Sequence, residues 1–417
     1  KTQTFAKAKG NVQMAQSGLL AQSDQINYNL KNQTGELNNS FYISEETHGH
    51  GRAEHIQRTS PNVMLMQNAT YSTCPPEQNP TWKLQAKQIE INQDTGRGVT
   101  KGTKLYIKNT PVLAVPYFNF PIDDRRTTGL LTPSFGFTND GGLELAAPVY
   151  LNLAPNYDAT VTPRYIGNRG LMAEGEFRYL TENFGGGRIW GGYLPSDKDY
   201  NDEDRKDLHY LHNWKIDDQW STNLEYNYVS DKDFFTDLDN DPNTRTELNQ
   251  RRAWQLNYGN GIPGLRAQLR VEDFQTIDPD LADIDRPYAR LPQLLVNYTK
   301  GDVQGLEFEF NNDTAYFKKN IRDFENQAEP NGTRIFNEMA LRYNLKQPWG
   351  FVVPEVSVRS LNNFYDQDTV ENANFRSNSE DKSVVVPQFT LDTGLTFERE
   401  GKYLQTLSPR AFYAYAP

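Results

Sequence analysis

The sequence predicts an all-β chain in two parts: a small sandwich or open β-roll, then a large antiparallel barrel that spans a membrane. Three observations carry this. Apolar and polar residues alternate with period two in segment after segment, and no helical period intervenes. After Gly129 the segments lengthen to roughly ten residues, close to the roughly nine to eleven of a tilted membrane strand. Beyond Gly185, long acidic connections alternate with tight turns, as when one end of a barrel bears extracellular loops and the other periplasmic turns.

Composition fits this division. The 417 residues include 43 Lys and Arg against 54 Asp and Glu, a net charge of −11 that argues against a nucleic-acid partner. Length alone allows two or three domains, or one small domain and one large sheet. Mean hydropathy is −0.77, and no stretch approaches the roughly 20 apolar residues of a membrane helix. Hydrophobic residues make up only 36%, yet aromatic residues reach 12%, too many for a disordered chain. A barrel with a wet interior explains both. Residues 1–9 hold no apolar run, so no signal peptide is visible and the start reads as mature or truncated.

Short alternating segments fill residues 1–121, at 11–14, 25–30, 62–66, 82–91 and 104–107. Trp82, Leu84 and Ala86 alternate with Lys83, Gln85 and Lys87, and Leu105 and Ile107 alternate with Lys104, Tyr106 and Lys108. Residues 122–417 carry the barrel strands. Leu171, Ala173, Phe177 and Tyr179 oppose Glu174, Glu176 and Arg178. Trp220, Leu224, Tyr226 and Tyr228 oppose Ser221, Asn223, Glu225 and Asn227. Leu265, Ala267, Leu269 and Val271 oppose Arg266, Gln268, Arg270 and Glu272, and Phe389, Leu391, Leu395 and Phe397 oppose Thr390, Asp392, Thr396 and Glu398. A soluble sandwich alternates too, so the connections decide. Long ones fall at 195–206, 231–248, 275–288, 318–334 and 362–385; tight ones fall at 216–219, 259–264, 300–302, 347–350 and 398–402. Counting back from the long loops puts the chain before Gly129 on the periplasmic side. Roughly fifteen barrel strands are visible, whereas such barrels close with an even number, so further strands are expected after Pro417.

Residues 141–180 read GGLELAAPVYLNLAPNYDATVTPRYIGNRGLMAEGEFRYL. With YSTCP at 71–75, VPYFNFPIDDRRTTG at 115–129, YLPSD at 193–197 and QTLSPR at 405–410, the chain resembles the LptD family of lipopolysaccharide-assembly outer-membrane proteins. The resemblance runs in order along nearly the whole chain. It implies a periplasmic, OstA-like β-jellyroll continuous with the lipid-carrying grooves of a transport bridge whose periplasmic component is LptA. It also implies a very large outer-membrane barrel plugged by the lipoprotein LptE, in contact with outer-membrane lipid and inserting lipopolysaccharide into the outer leaflet.

Pro133 and Pro148 fall in the first two expected barrel strands, 129–137 and 143–153. Proline donates no ladder hydrogen bond, so the pair weakens pairing near the barrel seam. The resemblance gives these positions the role of a lateral gate for lipid; ordinary bulges that shape the barrel are the alternative. Cys74, the one cysteine, sits in a turn with Pro75 and Pro76. It is either a free thiol or, as the resemblance implies, one half of a disulfide to a cysteine near the barrel's C-terminus. A further cysteine that family members carry nearer the N-terminus is absent from this sequence. The apolar faces of the N-terminal strands, Val63, Leu65, Trp82, Leu84, Ile89, Ile91, Leu105 and Ile107, read as sandwich core; the resemblance makes them the lining of a groove for acyl chains.

Two patterns imitate metal sites. Asp237, Asp239 and Asp241 begin like a calcium loop, but Pro242 and Leu248 stand where a glycine and a bidentate glutamate are needed; a solvated acidic outer loop is the expectation. His48, His50 and His55 lie in a polar turn beside Gly49 and Gly51, with no ligand set that completes a zinc pattern. No nucleophile, nucleotide or dinucleotide motif appears, so neither enzyme nor cofactor is expected and transport energy comes from elsewhere. The alternatives are a general porin or nutrient channel, which needs no lipid-groove domain, and a secreted carbohydrate-binding β-protein, which would not alternate its loop lengths.

Overall fold

The computed structural model describes residues 4–16, 19–44, 49–75, 80–123, 125–138, 141–238, 248–278, 280–282, 285–319, 331–366 and 381–417. The chain is all-β and divides into two compact units, one of Lys1–Phe135 with Leu145–Pro163, the other of Gly136–Glu144 with Arg164–Pro417.

The first unit opens with eight strands: β1 (Phe5–Gln16), β2 (Leu19–Asn29), β3 (Thr34–Ser44), β4 (His50–Ser60), β5 (Val63–Tyr71), β6 (Trp82–Asn92), β7 (Arg97–Ile107) and β8 (Thr110–Pro121). They pair antiparallel in chain order. Strict alternation would bury every second residue. Instead six successive strands each bury two residues three apart: Ser23 and Ile26, Leu37 and Ser40, Ala53 and Ile56, Met66 and Ala69, Ala86 and Ile89, Thr100 and Thr103. Each strand therefore changes face by one extra residue at the same height. The ladders are interrupted there without a change of register, passing from Gln22↔Phe41 to Gln25↔Asn38 and from Gln67↔Gln88 to Ala69↔Ala86.

On every second strand the extra residue takes the left-handed backbone: Asn11 (φ 31°), Asn39 (φ 51°), Asn68 (φ 47°) and Gly102 (φ 62°). Asparagine and glycine adopt this conformation at least cost. The amides tie the irregularity to the preceding strand. Asn39 Nδ2 donates to Asp24 Oδ2 at 3.1 Å, and Asn68 Nδ2 to Glu54 Oε2 at 2.7 Å. Aligned interruptions bend these strands along one line, so the sheet is creased into two leaves. Ala53, Ala69 and Ala86 on one leaf pack with Ile26, Leu37, Ile56, Met66 and Ile89 on the other in a single core. Small residues against large ones let the leaves meet closely at the crease.

Five short pieces follow: β9 (Gly129–Leu130), β10 (Ser134–Thr138), β11 (Gly142–Ala146), β12 (Val149–Ala154) and β13 (Tyr157–Ile166). Within the first unit β9 and β13 both pair with β12. The second unit continues with β14 (Gly170–Thr181), β15 (Gly185–Asp197), β16 (Glu203–Lys215), β17 (Trp220–Val229), the short helix α1 (Phe234–Leu238), β18 (Asn249–Tyr258) and β19 (Leu265–Thr276). Then come β20 (Ala289–Val303), β21 (Leu306–Lys318), β22 (Gly332–Tyr343), β23 (Leu345–Gln347), β24 (Gly350–Tyr365) and β25 (Lys382–Leu395). It ends with β26 (Phe397–Arg399), β27 (Gln405–Leu407) and β28 (Arg410–Tyr415). From β14 to β22, and on through β24, β25 and β28, each strand pairs antiparallel with the one before it. This is the up-and-down order of a barrel wall. β23 continues β22 in the same register and pairs antiparallel with the start of β24, and β26 with β27 forms a separate hairpin.

Two connections differ from expectation. The stretch 195–206 is mostly strand, because β15 runs to Asp197 and β16 begins at Glu203, and the turn expected at 300–302 comes later, because β20 runs to Val303 and β21 begins at Leu306. A single last strand is expected over 404–416; instead Pro409 stands between β27 and β28. No helix among the described residues is long and apolar enough to cross a membrane.

Candidate functional site

Beyond the crease the inner faces of the two leaves are only partly covered. Val12, Met14, Tyr28, Met64 and Ile91 pack on the edge of the core while staying half-exposed. A groove of about 990 Å3 runs along Phe5, Ala6, Val12, Met14, Ile26, Tyr28 and Leu30. A side cavity of about 50 Å3 opens among Met14, Tyr28, Leu37, Ile56, Arg58, Met64 and Ile91. The mouth of the roll is thus apolar, with methionine prominent, a side chain that fits chains of variable shape.

Six of the eight predicted groove residues share the inner face. Trp82 and Leu84 continue the row of Ala86, Leu105 and Ile107 continue that of Thr103, and Ile91 packs at the mouth. Ile89 lies deeper, 6% exposed within the crease core. Leu65 is a correction. It alternates with Met64 and Met66, which pack inward, and pairs with Gln57 and Glu90 on the outer face. Val63 belongs to the same outward row, although at the strand start it borders the side cavity. The run Val63–Met64–Leu65–Met66 is apolar on both faces, so its pattern carries no register; burial selects the methionines.

Cys74, the one cysteine of this sequence, lies half-buried beyond β5. Its turn is pinned: His50 Nε2 donates to the Cys74 carbonyl at 2.5 Å, and Ser72 Oγ accepts from Cys74 N at 3.1 Å. A hydrogen bond with the Ser72 side chain holds the thiol below its ordinary range, which favours the thiolate that undergoes disulfide exchange.

The two prolines stand in breaks rather than in continuous strands. Residues 131–133 separate β9 from β10, and 147–148 separate β11 from β12. The ladder does not pass through the missing donors. Pro148 contributes its carbonyl instead, accepting from Leu131 N at 2.8 Å. The neighbouring segment is clamped by a residue that pattern reading missed. Arg126 donates from Nε to Tyr150 Oη at 2.8 Å and from Nη1 to the Pro155 carbonyl at 2.9 Å, and pairs with buried Asp158. Looseness is therefore confined to the breaks themselves.

In the second unit the polar face expected from alternation forms a ladder across strands. Arg251 bridges Glu225 and Glu272, Arg342 reaches Glu307 and Glu355 at 2.6 Å each, and Arg359 pairs with Glu338 at 2.6 Å. Between these run amides: Asn223 donates to Asn213 (2.6 Å), Asn257 to Asn223 (3.0 Å) and Gln268 to Asn257 (2.7 Å). Leucines such as Leu171, Leu341 and Leu345 are exposed on the unit's surface.

The acidic loop after β17 is not solvated throughout, which corrects the expectation for its first part. Arg205, its side chain 1% exposed, bonds Asp231 at 2.7 Å, Asp237 at 2.8 Å and Asp197 at 3.1 Å, and stacks on Tyr200. Arg169 adds a second guanidinium on Asp197 at 2.9 Å. The helix α1 buries Phe234, Phe235 and Leu238 beside Val229 and Leu194. The Asp237 carboxylate is thus occupied by arginine, while Asp239 and Asp241 lie outside the described residues. His48 does too. His50 bonds the Cys74 carbonyl and His55 bonds Asn38 at 2.8 Å.

The chain is similar to proteins of known family. A family model described as LPS transport system D matches residues 203–417, and one described as LptD protein matches residues 99–293. The chain is 69% identical over 417 residues to the LPS-assembly protein LptD of Acinetobacter baumannii, and 68% identical over 418 residues to that of Acinetobacter baylyi, covering all of this chain and 51% of each relative. Identity to the protein of that name in Psychrobacter cryohalolentis is 38% over 435 residues, which is 43% of that relative. The chain spans about half the length of the curated relatives it matches.

Proposed function

The chain belongs to the LptD family of lipopolysaccharide transport proteins, and from that premise we propose that it provides the receiving groove and part of the outer-membrane wall of a lipopolysaccharide translocon. The observation that carries this is the creased roll with an apolar mouth. A sandwich that only needed a core would close over Met14, Tyr28, Met64 and Ile91. On this reading residues 1–121 are a periplasmic jellyroll that receives lipid from a bridge built with LptA, and residues 122–417 are wall, apolar toward membrane lipid and charged toward a lumen filled by LptE. Each buried CH2 of an acyl chain contributes about 0.8 kcal/mol, so several chains are held firmly in such a mouth. The breaks at Pro133 and Pro148 serve as the lateral gate, and Cys74 is tied by a disulfide to the far end of the complete protein. No covalent step is needed, and nothing in the fold favours a porin.

Photo-crosslinking in the complete protein during transport tests the groove. Capture of lipopolysaccharide is expected from Leu105 and Ile107. Capture only at Lys104 and Lys108, whose side chains alternate with these, would place lipid on the wrong face and overturn the reading.

A further inference from the structure

We propose that Tyr28 and Arg58 form an anion-recognition site at the mouth of the roll, for the phosphate of an acylated lipid whose chains lie in the adjoining groove. The proposal rests on the groove reading above and adds the chemistry of the headgroup. Cross-strand registers set the two residues in one row: Tyr28↔Gly35, Gly35↔Arg58, Arg58↔Met64 and Met64↔Ile91. The row lies on the inner face, since each position is two residues from a core residue on its strand: Ile26, Leu37, Ile56, Met66 or Ile89. Neighbouring strands are about 4.8 Å apart, so Tyr28 and Arg58 project from points roughly 10 Å apart, within reach of one bridging group.

Gly35 between them leaves the room that the Tyr28 ring occupies. A Cβ there would come within 2.5 Å of Tyr28 Cδ2 and 2.6 Å of the Asn27 carbonyl, so the Tyr28 ring lies across this strand toward Arg58. Both polar groups are under-used. The Tyr28 hydroxyl is buried with no hydrogen-bond partner, a state that costs free energy unless a ligand relieves it. Arg58 donates from Nη2 to the Pro61 carbonyl and has no ion pair among the described residues. A half-exposed guanidinium at the rim of a cavity, with no carboxylate on it, fits a site whose anion arrives with the ligand.

The cavity geometry matches an amphiphile. Tyr28 and Arg58 both line the 50 Å3 side cavity, several times the space one water needs. Tyr28 and Met14 also line the 990 Å3 groove, which is mainly apolar but also bordered by Thr4, Lys7 and Gln13. A ligand with its phosphate in the small cavity therefore has its chains beside Met14 and Ile26.

The test uses the complete protein in its complex, with a photo-crosslinking residue at Met64 and the variants Tyr28→Phe and Arg58→Gln. The probes are purified lipopolysaccharide with intact phosphates, the same lipid after phosphatase treatment, and inorganic phosphate as competitor. Arg58→Gln is expected to weaken capture of the phosphorylated lipid about tenfold or more, and Tyr28→Phe about two- to tenfold. Capture of the dephosphorylated lipid should be unchanged by either. Equal losses for both lipids mean that the residues only pack, and overturn the proposal, as does no loss for either. If wild type captures both lipids alike while inorganic phosphate binds in a manner dependent on Arg58, the site serves a free anion and the lipid assignment falls. Absence of lipid capture of either kind at Met64 overturns the groove reading itself, and this inference with it.

Discussion

Replacing Asn68 tests whether the crease is held by backbone conformation. Asn68 sits at φ 47° and donates from Nδ2 to Glu54 at 2.7 Å. Valine adopts the left-handed region at a cost of about 1–2 kcal/mol. Loss of the hydrogen bond adds about 0.5–1.5 kcal/mol, so Asn68→Val should destabilise the crease by roughly 1.5–3.5 kcal/mol. Glycine loses the same hydrogen bond but meets no steric penalty, so Asn68→Gly should cost only about 0.5–1.5 kcal/mol. The two variants share the missing side chain amide, and their difference isolates the backbone. At 1.4 kcal/mol per decade, that difference is roughly a 5- to 30-fold faster opening in the valine variant. Amide hydrogen exchange of the complete protein, followed by mass spectrometry over β5 and β6, reads it directly. Equal exchange in the two variants would refute the idea that a left-handed residue maintains the bend.

The buried charge knot predicts that Arg205→Met, which leaves Asp231 without its arginine and Asp197 and Asp237 with Arg169 alone, costs about 3–5 kcal/mol; a lower melting temperature in heat-modifiability gels checks it. Arg205→Lys should not restore it, because an ammonium cannot fork to three carboxylates. Replacing Pro133 and Pro148 together with Ala offers two new donors worth about 0.5–1.5 kcal/mol each when bonded. Surface lipopolysaccharide should then appear more slowly at unchanged barrel abundance; normal delivery would remove the prolines from the exit. Cys74→Ser should abolish a disulfide-linked species on non-reducing gels of the complete protein and slow assembly, whereas a free thiol in wild type would end the tether reading.

Alternation made the sheets legible because one face of each strand meets a different medium from the other. Leu265, Ala267, Leu269 and Val271 against Arg266, Gln268, Arg270 and Glu272 needed nothing more. The crease was hidden in the same data. Trp82, Leu84 and Ala86 are even-numbered and Ile89 and Ile91 odd, and only an extra residue between them puts all five on one face. A single strand with such a skip resembles a loose pattern; six in register define a bend. Leu65 was misplaced because Met64 and Met66 are as apolar as it is, so pattern could not choose between them. The Arg205 knot was illegible for another reason. Asp197, Asp231 and Asp237 are spread over forty residues of acidic chain, and nothing local distinguishes a carboxylate that meets arginine from one that meets water. Proline chemistry located the breaks at Pro133 and Pro148 but not their extent, which depends on where Leu131 and Ala147 find acceptors.

The left-handed residues recur at Asn11, Asn39, Asn68 and Gly102, once per hairpin. A bend built this way has no fixed length, since each hairpin brings its own kink, its own small-on-large pair and its own share of the apolar lining. Stability in such an array is a sum of neighbour terms, so a whole hairpin can be inserted or removed without redesigning the rest, provided that the end strands stay capped. The length of the creased roll then becomes a number of copies, open to lengthening by duplication and to continuation by any other chain that presents the same kink at its edge.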